Sequence, residues 1–590
     1  MLVPMVRVEI IGPKGLFQDV VGVVHDQGRL HIDDLSKKAS GGSAPLDQMQ
    51  VDEKYADNKE QIEELLLRVC SILKALDCDK AKVDKGLVTE EYVRLFGLEP
   101  GELVGTIGGV IGDVEERVAA LTTTCEEAES EIALLERCEP ALSKAQSNPK
   151  RAKKVTLPEA LEGMPLDKAY KELKSRKVAL SGDLGTAQEK LDALASTWAV
   201  KLVAMRDALV DRSAEAEAIP MFGRTDYAFV IDGWIPTEDV SALEDQIKKQ
   251  FGAKVIVAQH EIKESEYSKT PVALKNNSTL SPFEMLVGVY GMPKYGTLDP
   301  TWMIFLFYPL FFGLIVGDVG YGAVMLGIAL WMRAKFKNNE GVKLATSILT
   351  LPAISVIVFG VIYGELFGDL GGHYLKLPVF AHPPFHRVHE VMPYMIFAIG
   401  VGVVHVIIGL ILGVVNAIKT KNGHHLQEKI GILIALLGVA STAVGLALFA
   451  DSPLMVFGAA INPLMYLGIV VILGGIVYAC MGGGVMGVIE FVESVAHMAS
   501  YIRIMAVGLG GAIFADAVNS IVAGMGGSVG GMIGGAIVGL LLHALNFAIV
   551  IFSPSIHSLR LVFLEFYGKF YETGSKVYSP FRKTGGEEGA

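Results

Sequence analysis

Two stretches near the carboxyl end decide how this chain is read: Val485–Val522, VMGVIEFVESVAHMASYIRIMAVGLGGAIFADAVNSIV, and Gly530–Phe566, GGMIGGAIVGLLLHALNFAIVIFSPSIHSLRLVFLEF. Each offers roughly 35 residues of nearly unbroken apolar sequence, where about 20 cross a bilayer as an α-helix, so each is expected to tilt steeply or overrun the membrane. Each also carries one arginine, Arg503 in the first and Arg560 in the second. A guanidinium keeps its charge, and at bilayer depth it costs at least about 2.5–3.5 kcal/mol. Two such costs near midspan call for a counter-charge.

Other polar residues lead up to each arginine. Glu493, His497, Ser500 and Arg503 follow at spacings of four, three and three, which places them along one drifting helical face. Glu490 lies one turn before them. His543, Asn546, Ser553, His557 and Arg560 follow at three, seven, four and three, again one face, with Glu565 five residues beyond. One row enters from one side of the membrane and the other row from the opposite side, and each stops at its arginine. That is the plan of two offset half-channels for an ion. The competing reading pairs the same groups inside a helix bundle, Glu493 with His497 and Glu565 with Arg560. Asp318 and Glu365 lie in Gly-Asp-Val-Gly-Tyr-Gly and Tyr-Gly-Glu-Leu-Phe-Gly, where glycines point to close helix packing and a structural role. Pro554 removes a backbone hydrogen bond and predicts a kink just before His557.

The bulk composition agrees with a membrane protein. The 590 residues are 51% hydrophobic, the mean hydropathy is +0.42, and charges concentrate before about Tyr290. A net charge of −12 gives no basic surface for nucleic acid. The five cysteines show no CxxC spacing and are read as reduced packing residues. No GxxxxGK[ST] phosphate loop occurs, so nucleotide hydrolysis by that route is excluded, and no cofactor or metal site is expected. No signal-peptide pattern opens the chain, so the first half is expected in the cytoplasm.

In that half, Val6–Ile11 and Leu30–Ile32 alternate as strands around a helix at Leu16–His25, and Asp226–Ile231, Val240–Phe251 and Lys254–Ala258 read as strand, helix and strand. Between them, Gly112–Ala145 and Leu166–Leu209 have helical spacing, joined through a basic segment at Lys150–Lys154. The expected fold is an α/β domain of two lobes held apart by an antiparallel coiled coil over residues 1–290. Residues 291–590 follow as an α-helical polytopic membrane domain. Eight apolar runs are expected to span it: Trp302–Val316, Val319–Met332, Ala345–Phe367, Met392–Ala417, Ile430–Phe449, Met455–Cys480, Val485–Val522 and Gly530–Phe566. Arg333, Lys335 and Lys337, then Lys419 and Lys421, then Lys569 and Lys576 follow the even runs, which puts both termini in the cytoplasm. The histidine-rich loop 371–390 is then external, its histidines solvated.

With these residues in view, the chain resembles the membrane stator subunit, subunit a or subunit I, of archaeal and bacterial A/V-type rotary ATPases. The resemblance rests on Gly233-Trp234-Ile235-Pro236, Pro282-Phe283-Glu284, Tyr290-Gly291-Met292-Pro293, Asp299-Pro300-Thr301, Pro309-Leu310-Phe311-Phe312-Gly313, Gly317-Asp318-Val319-Gly320-Tyr321-Gly322, Ser500-Tyr501-Ile502-Arg503 and His557-Ser558-Leu559-Arg560-Leu561. It implies that Arg503 and Arg560 face a carboxylate on a rotating proteolipid ring (subunit c/K), with His557 as a polar neighbour and Glu490 and Glu493 on the cytoplasmic side. It implies peripheral stalk partners of E/G or E/H type, indirect contact with the central stalk, and coupling of H⁺ or Na⁺ flow to ATP synthesis in a separate head. Gly511 and Val550 stand where some eukaryotic relatives carry histidine and an acid, so His543 and Asn546 are expected to serve the outer path instead. Two other readings stand beside this one: a secondary ion transporter, and a membrane scaffold without an ion path.

Overall fold

The computed structural model describes residues 1–35, 47–48, 53–78, 83–147, 165–263, 266–337, 339–448, 454–456, 459–461 and 463–584. Its contacts divide the chain into two compact units, Val6–Glu261 with Ser579–Ala590, and Met1–Met5 with Ile262–Tyr578.

The first unit opens with β1 (Met5–Pro13), α1 (Phe17–Gln27), β2 (His31–Ile32) and β3 (Asp47–Gln48). Four helices follow: α2 (Glu53–Ala75), α3 (Lys85–Phe96), α4 (Pro100–Ser147) and α5 (Leu166–Ala218). It closes with β4 (Gly223–Arg224), β5 (Ala228–Pro236), α6 (Val240–Phe251) and β6 (Ile256–His260). The two α/β segments do not form separate lobes. All six strands belong to one sheet, in the order β3-β4-β5-β1-β6 with β2 on β5, and β1 meets β6 antiparallel with Arg7 opposite His260. The reason is apolar: Val8, Ile10, Phe229 and Ile231 from the sheet share one core with Val20 and Val24 of α1 and Leu243 and Ile247 of α6. Arg7 donates from Nε and Nη2 to the two oxygens of Asp232 at 2.9 and 2.7 Å, tying β1 to β5.

α4 and α5 run along each other as an antiparallel hairpin, with Ile107 and Ile111 in one core with Leu202 and Met205, and Leu135 against Leu173. Ion pairs cross the hairpin at Arg176–Glu131 (2.6 Å) and Lys177–Glu136 (3.1 Å). The basic segment Lys150–Lys154 lies outside the described residues. Where α1 and α5 meet, His25 Nδ1 lies 2.9 Å from Glu215, and Tyr92 donates to Asp211 at 2.6 Å. The carboxyl-terminal residues of the chain cover this spot. Phe581 stacks on His25 at 4.2 Å and donates its N–H to Leu30, while Thr584 donates its N–H to Asp211.

The second unit is helical: α7 (Ser281–Tyr290), α8 (Thr301–Val316), α9 (Val319–Lys335), α10 (Glu340–Tyr363), the short α11 (Pro378–Ala381), α12 (Val391–Lys419), α13 (Gly423–Leu448), α14 (Pro463–Gly483), α15 (Val485–Ser500), α16 (Ile502–Gly524) and α17 (Val529–Arg560). A hairpin of β7 (Leu454–Val456) and β8 (Ala459–Ile461) joins α13 to α14. Among the described residues, six helical stretches are long and apolar enough to cross a membrane: 340–363, 391–419, 423–446, 464–483, 485–524 and 529–569. The first two expected spans are shorter, 16 residues in α8 and 17 in α9, because the chain breaks at Gly317-Asp318. Asp318 caps α9, accepting from the N–H of Tyr321 at 3.0 Å. α17 runs through Pro554 without a break, and its irregularity comes later, as a π-helical turn at Leu561–Phe566.

Candidate functional site

The seventh apolar stretch is interrupted where its arginine begins. α15 ends at Ser500, Tyr501 forms a turn, and Arg503 is the second residue of α16. Tyr501 is fully buried because a pocket is made for it: at Gly402 of α12 a Cβ would come within 2.5 Å of its ring. Its hydroxyl meets Nδ1 of His405, one turn along α12, and the His405 ring lies on Phe566 of the π turn. An apolar, aromatic wedge from α8 and α12 therefore fixes both the residue two before Arg503 and the residue after Glu565.

The π turn has a consequence for charge. A π-helix closes i to i+5 contacts, so residues five apart come to nearly the same side, whereas an α-helix sets them about 140° apart. Glu565 is thereby turned inward beside Arg560. Arg503 Nη1 lies 3.3 Å from Glu565 Oε1, and Arg560 Nε lies 3.9 Å from the same oxygen. The side chain of Glu565 is 2% exposed, that of Arg503 19% and that of Arg560 50%. Pairing of Glu565 with Arg560 was one reading of the sequence; its contact with Arg503, on the other helix, was not. His557 Nδ1, Ser558 Oγ and Glu565 Oε2 are buried here without a hydrogen-bond partner among the described residues.

The remaining sequence-derived candidates fall into separate groups. Glu493 lies 3.4 Å from His497 Nε2. Ser500 does not join them, since its hydroxyl donates to the Ala496 carbonyl of its own helix at 3.1 Å. Glu490 turns the other way and pairs with Lys429 of α13. Nearby Glu428 is buried and lies 3.5 Å from His425, so the structure adds Lys429 and Glu428 to a neighbourhood that spacing on one helix did not reveal.

His543 and Asn546 sit together in a polar belt. Nδ1 of His543 and Nδ2 of Asn546 each lie 2.8 Å from the Tyr321 hydroxyl, and His543 Nε2 lies 3.1 Å from Asn519 Oδ1. Asn546 also donates to the Gly511 carbonyl at 3.2 Å. Asp318 adjoins this belt but faces backbone: Phe367 and Gly368 donate their N–H groups to it at 3.0 and 2.7 Å.

Glu365 has a partner the sequence reading missed. Arg387, from the loop expected to be external, is buried and donates to Glu365 Oε1 through Nε at 2.6 Å and to Oε2 through Nη2. Its nitrogens also reach the carbonyls of Ile315 and Val316 at 2.8 and 2.7 Å, which cap the end of α8. Gly508 of α16 leaves room for it, since a Cβ there would stand 3.1 Å from Nη1. An arginine inside a histidine-rich loop offers no periodic signal, so only the fold brings it in. Among the described residues, no group of three or more His, Cys, Asp or Glu side chains is gathered to hold a metal ion.

The sequence profile of the V-type ATPase 116kDa subunit family matches residues 151–369. The A-type ATP synthase subunit I of Methanocaldococcus jannaschii is 28% identical over 97% of this chain and 86% of its own length. That of Thermococcus kodakarensis is 30% identical over 63% of this chain and 57% of its own length. That of Pyrococcus horikoshii is 27% identical over 85% and 74%. These similarities bear out the resemblance read from the motifs.

Proposed function

We infer that this chain is a membrane stator subunit of an A/V-type rotary ATP synthase or ATPase, the subunit I class to which its relatives' names belong. It is a multi-pass membrane protein and a non-catalytic part of the rotary complex; ATP is made or cleaved elsewhere. The observation that carries the site-level reading is the surroundings of Arg560. Its side chain is half exposed in a row of exposed apolar residues, Phe552, Ile556 and Leu564. Glu565 reaches this cation only at 3.9 Å, beyond a tight charged hydrogen bond, so the exposed half of Arg560 is left for an anion supplied from outside the chain.

The partner that fits is a proteolipid ring bearing a carboxylate within the membrane. Opposite charges about 4 Å apart attract by about 4 kcal/mol at an effective dielectric of 20, so Arg503 and Arg560 favour the ionised carboxylate as it passes. The carboxylate releases its ion into one half-channel before that point and reloads from the other after it. Glu493 and His497 line the cytoplasmic path, with Glu490 and Lys429 at its side and Ser500 turned onto its own helix, and His543 and Asn546 line the outer one, with His557 beside the arginines. Asp318 and Glu365 hold the surrounding helices. The positive charges block direct leakage between the two paths, and ion flow becomes rotation.

In this reading α8 and α9 complete an eight-helix membrane domain over residues 291–590, with both termini in the cytoplasm. Residues 1–290 form the arm that meets the peripheral stalks and resists torque. The test is ATP-driven ion pumping by the complex in vesicles, with assembly checked on gels. Arg503→Ala and Arg560→Ala are each expected to lower pumping at least tenfold; assembled variants that pump normally would overturn the reading.

A further inference from the structure

Two arginine–glutamate systems lie inside the second unit, and they are built differently. Arg387 and Glu365 are fully committed: two guanidinium nitrogens meet the two carboxylate oxygens, and the guanidinium also serves two backbone carbonyls. Such a bidentate clamp is the form of a permanent tie. Glu565 is held loosely. One oxygen serves both Arg503 and Arg560, at 3.3 and 3.9 Å, beyond the 2.7–2.9 Å of a tight charged hydrogen bond. The other oxygen is buried with no hydrogen-bond partner among the described residues.

Burying a carboxylate in this way is costly unless its cations stay close, and burying a guanidinium beside lipid is costly without an anion. Each side therefore needs the other whenever nothing else is near. The π turn is what supplies the match, since it brings Glu565 to the side of Arg560 while Phe566, clamped by His405, holds the turn in place. The charged and titratable groups around Glu565 are Arg503, Arg560, His557 and Tyr501, with His405 behind Phe566.

We propose that Glu565 is an exchangeable counter-ion built into the stator: it occupies Arg503 and Arg560 when no ring carboxylate stands opposite, and competes with that carboxylate for them. This rests on the stator reading above and adds a role for a residue of the stator itself. The guanidiniums pass from Glu565 to the ring carboxylate as it arrives, and Glu565 regains them as it leaves. No bond is made or broken; only the hydrogen-bond partners of the arginines change. Competition keeps the ring carboxylate from being trapped, because its departure no longer leaves two bare cations. Glu565 acts through the arginines and is a positioning residue.

The test uses the intact complex in vesicles, measuring ATP-driven pumping of E565Q and E565D beside R503A and R560A. E565Q, which keeps the shape and loses the charge, is expected to assemble and to pump at least tenfold slower. E565D, which keeps the charge on a shorter arm, is expected to be only two- to threefold slower than the parent. E565Q at the parental rate overturns the proposal, and so does E565D as impaired as E565Q, which would make the side chain's shape the cause. If E565Q does not assemble, E565D decides: a two- to threefold slowing supports the exchange, and the parental rate overturns it. R503A and R560A pumping normally would instead sink the stator reading, which the Glu565 variants leave untouched.

Discussion

The imidazole of His405 lies flat on the ring of Phe566, with centroids 4.0 Å apart and planes within 9° of parallel. Its Nδ1 meets the hydroxyl of Tyr501, and Phe307 and Phe311 of α8 close around it. One side chain of α12 thus touches both helices that carry an arginine, close to where each arginine emerges.

Removing that side chain should loosen both at once. His405→Ala is expected to destabilise the second unit by about 3–5 kcal/mol, the range for deleting a buried aromatic group. Tyr501→Phe, which loses one hydrogen bond, should cost about 1 kcal/mol. Thermal unfolding of the purified protein in detergent measures both; equal effects of the two variants would mean that the stacking on Phe566 contributes nothing.

Arg387→Met leaves Glu365 buried without its cation, which is expected to cost about 3–5 kcal/mol. The double variant Glu365→Met with Arg387→Met removes both charges and should recover a large part of that loss. If the double variant unfolds no later on heating than the single one, the pair is not what holds the loop in the interior.

Acid sensitivity is expected in the first unit at Glu215. Burial alone would raise its pKa, but the His25 hydrogen bond and the Arg212 charge outweigh that and hold it below the usual carboxylate value. A group lowered on folding stabilises the native state fully above its unfolded pKa, about 4.3, and loses that contribution as pH falls through the lower folded value. Protection against hydrogen exchange along α1 and the end of α5, corrected for the intrinsic exchange rate, should therefore fall below about pH 4. Glu215→Gln should flatten that dependence, and an unchanged pH profile would assign it to other groups.

Glu493 is exposed for about half of its side chain and lies 3.4 Å from His497. Glu493→Gln should slow coupled ion transport several-fold without preventing assembly. Unchanged transport would remove it from the ion path.

Much of this was legible because solvent writes strongly on sequence. The apolar runs from Trp302 to Phe566 map onto α8 to α17, and the rows ending at Arg503 and Arg560 follow from helical spacing alone. What spacing does not carry is the identity of a distant partner. Arg7 and His260 are neighbours across one sheet, yet each segment reads equally well as part of its own lobe. Arg387 lies in a loop that reads as external, and nothing in its spacing points to Glu365 or to the end of α8. The π turn leaves no periodic trace over six residues, and without it Glu565 faces the wrong way for Arg503. The polar rows also proved discontinuous, because Ser500 can satisfy itself on its own helix and Glu490 finds Lys429 on another.

Phe581 against His25 and Thr584 on Asp211 bear on the order in which the molecule can be completed. The ribosome delivers the sheet and the helical hairpin first, hundreds of residues before the short segment that covers His25. Until that segment arrives, the first-made unit waits with a histidine, two carboxylates and a phenol short of their cover, while every apolar helix is still being inserted. Its folding is finished only by a segment made after every apolar helix, so a nascent chain that stalls in the membrane also leaves this unit unsealed.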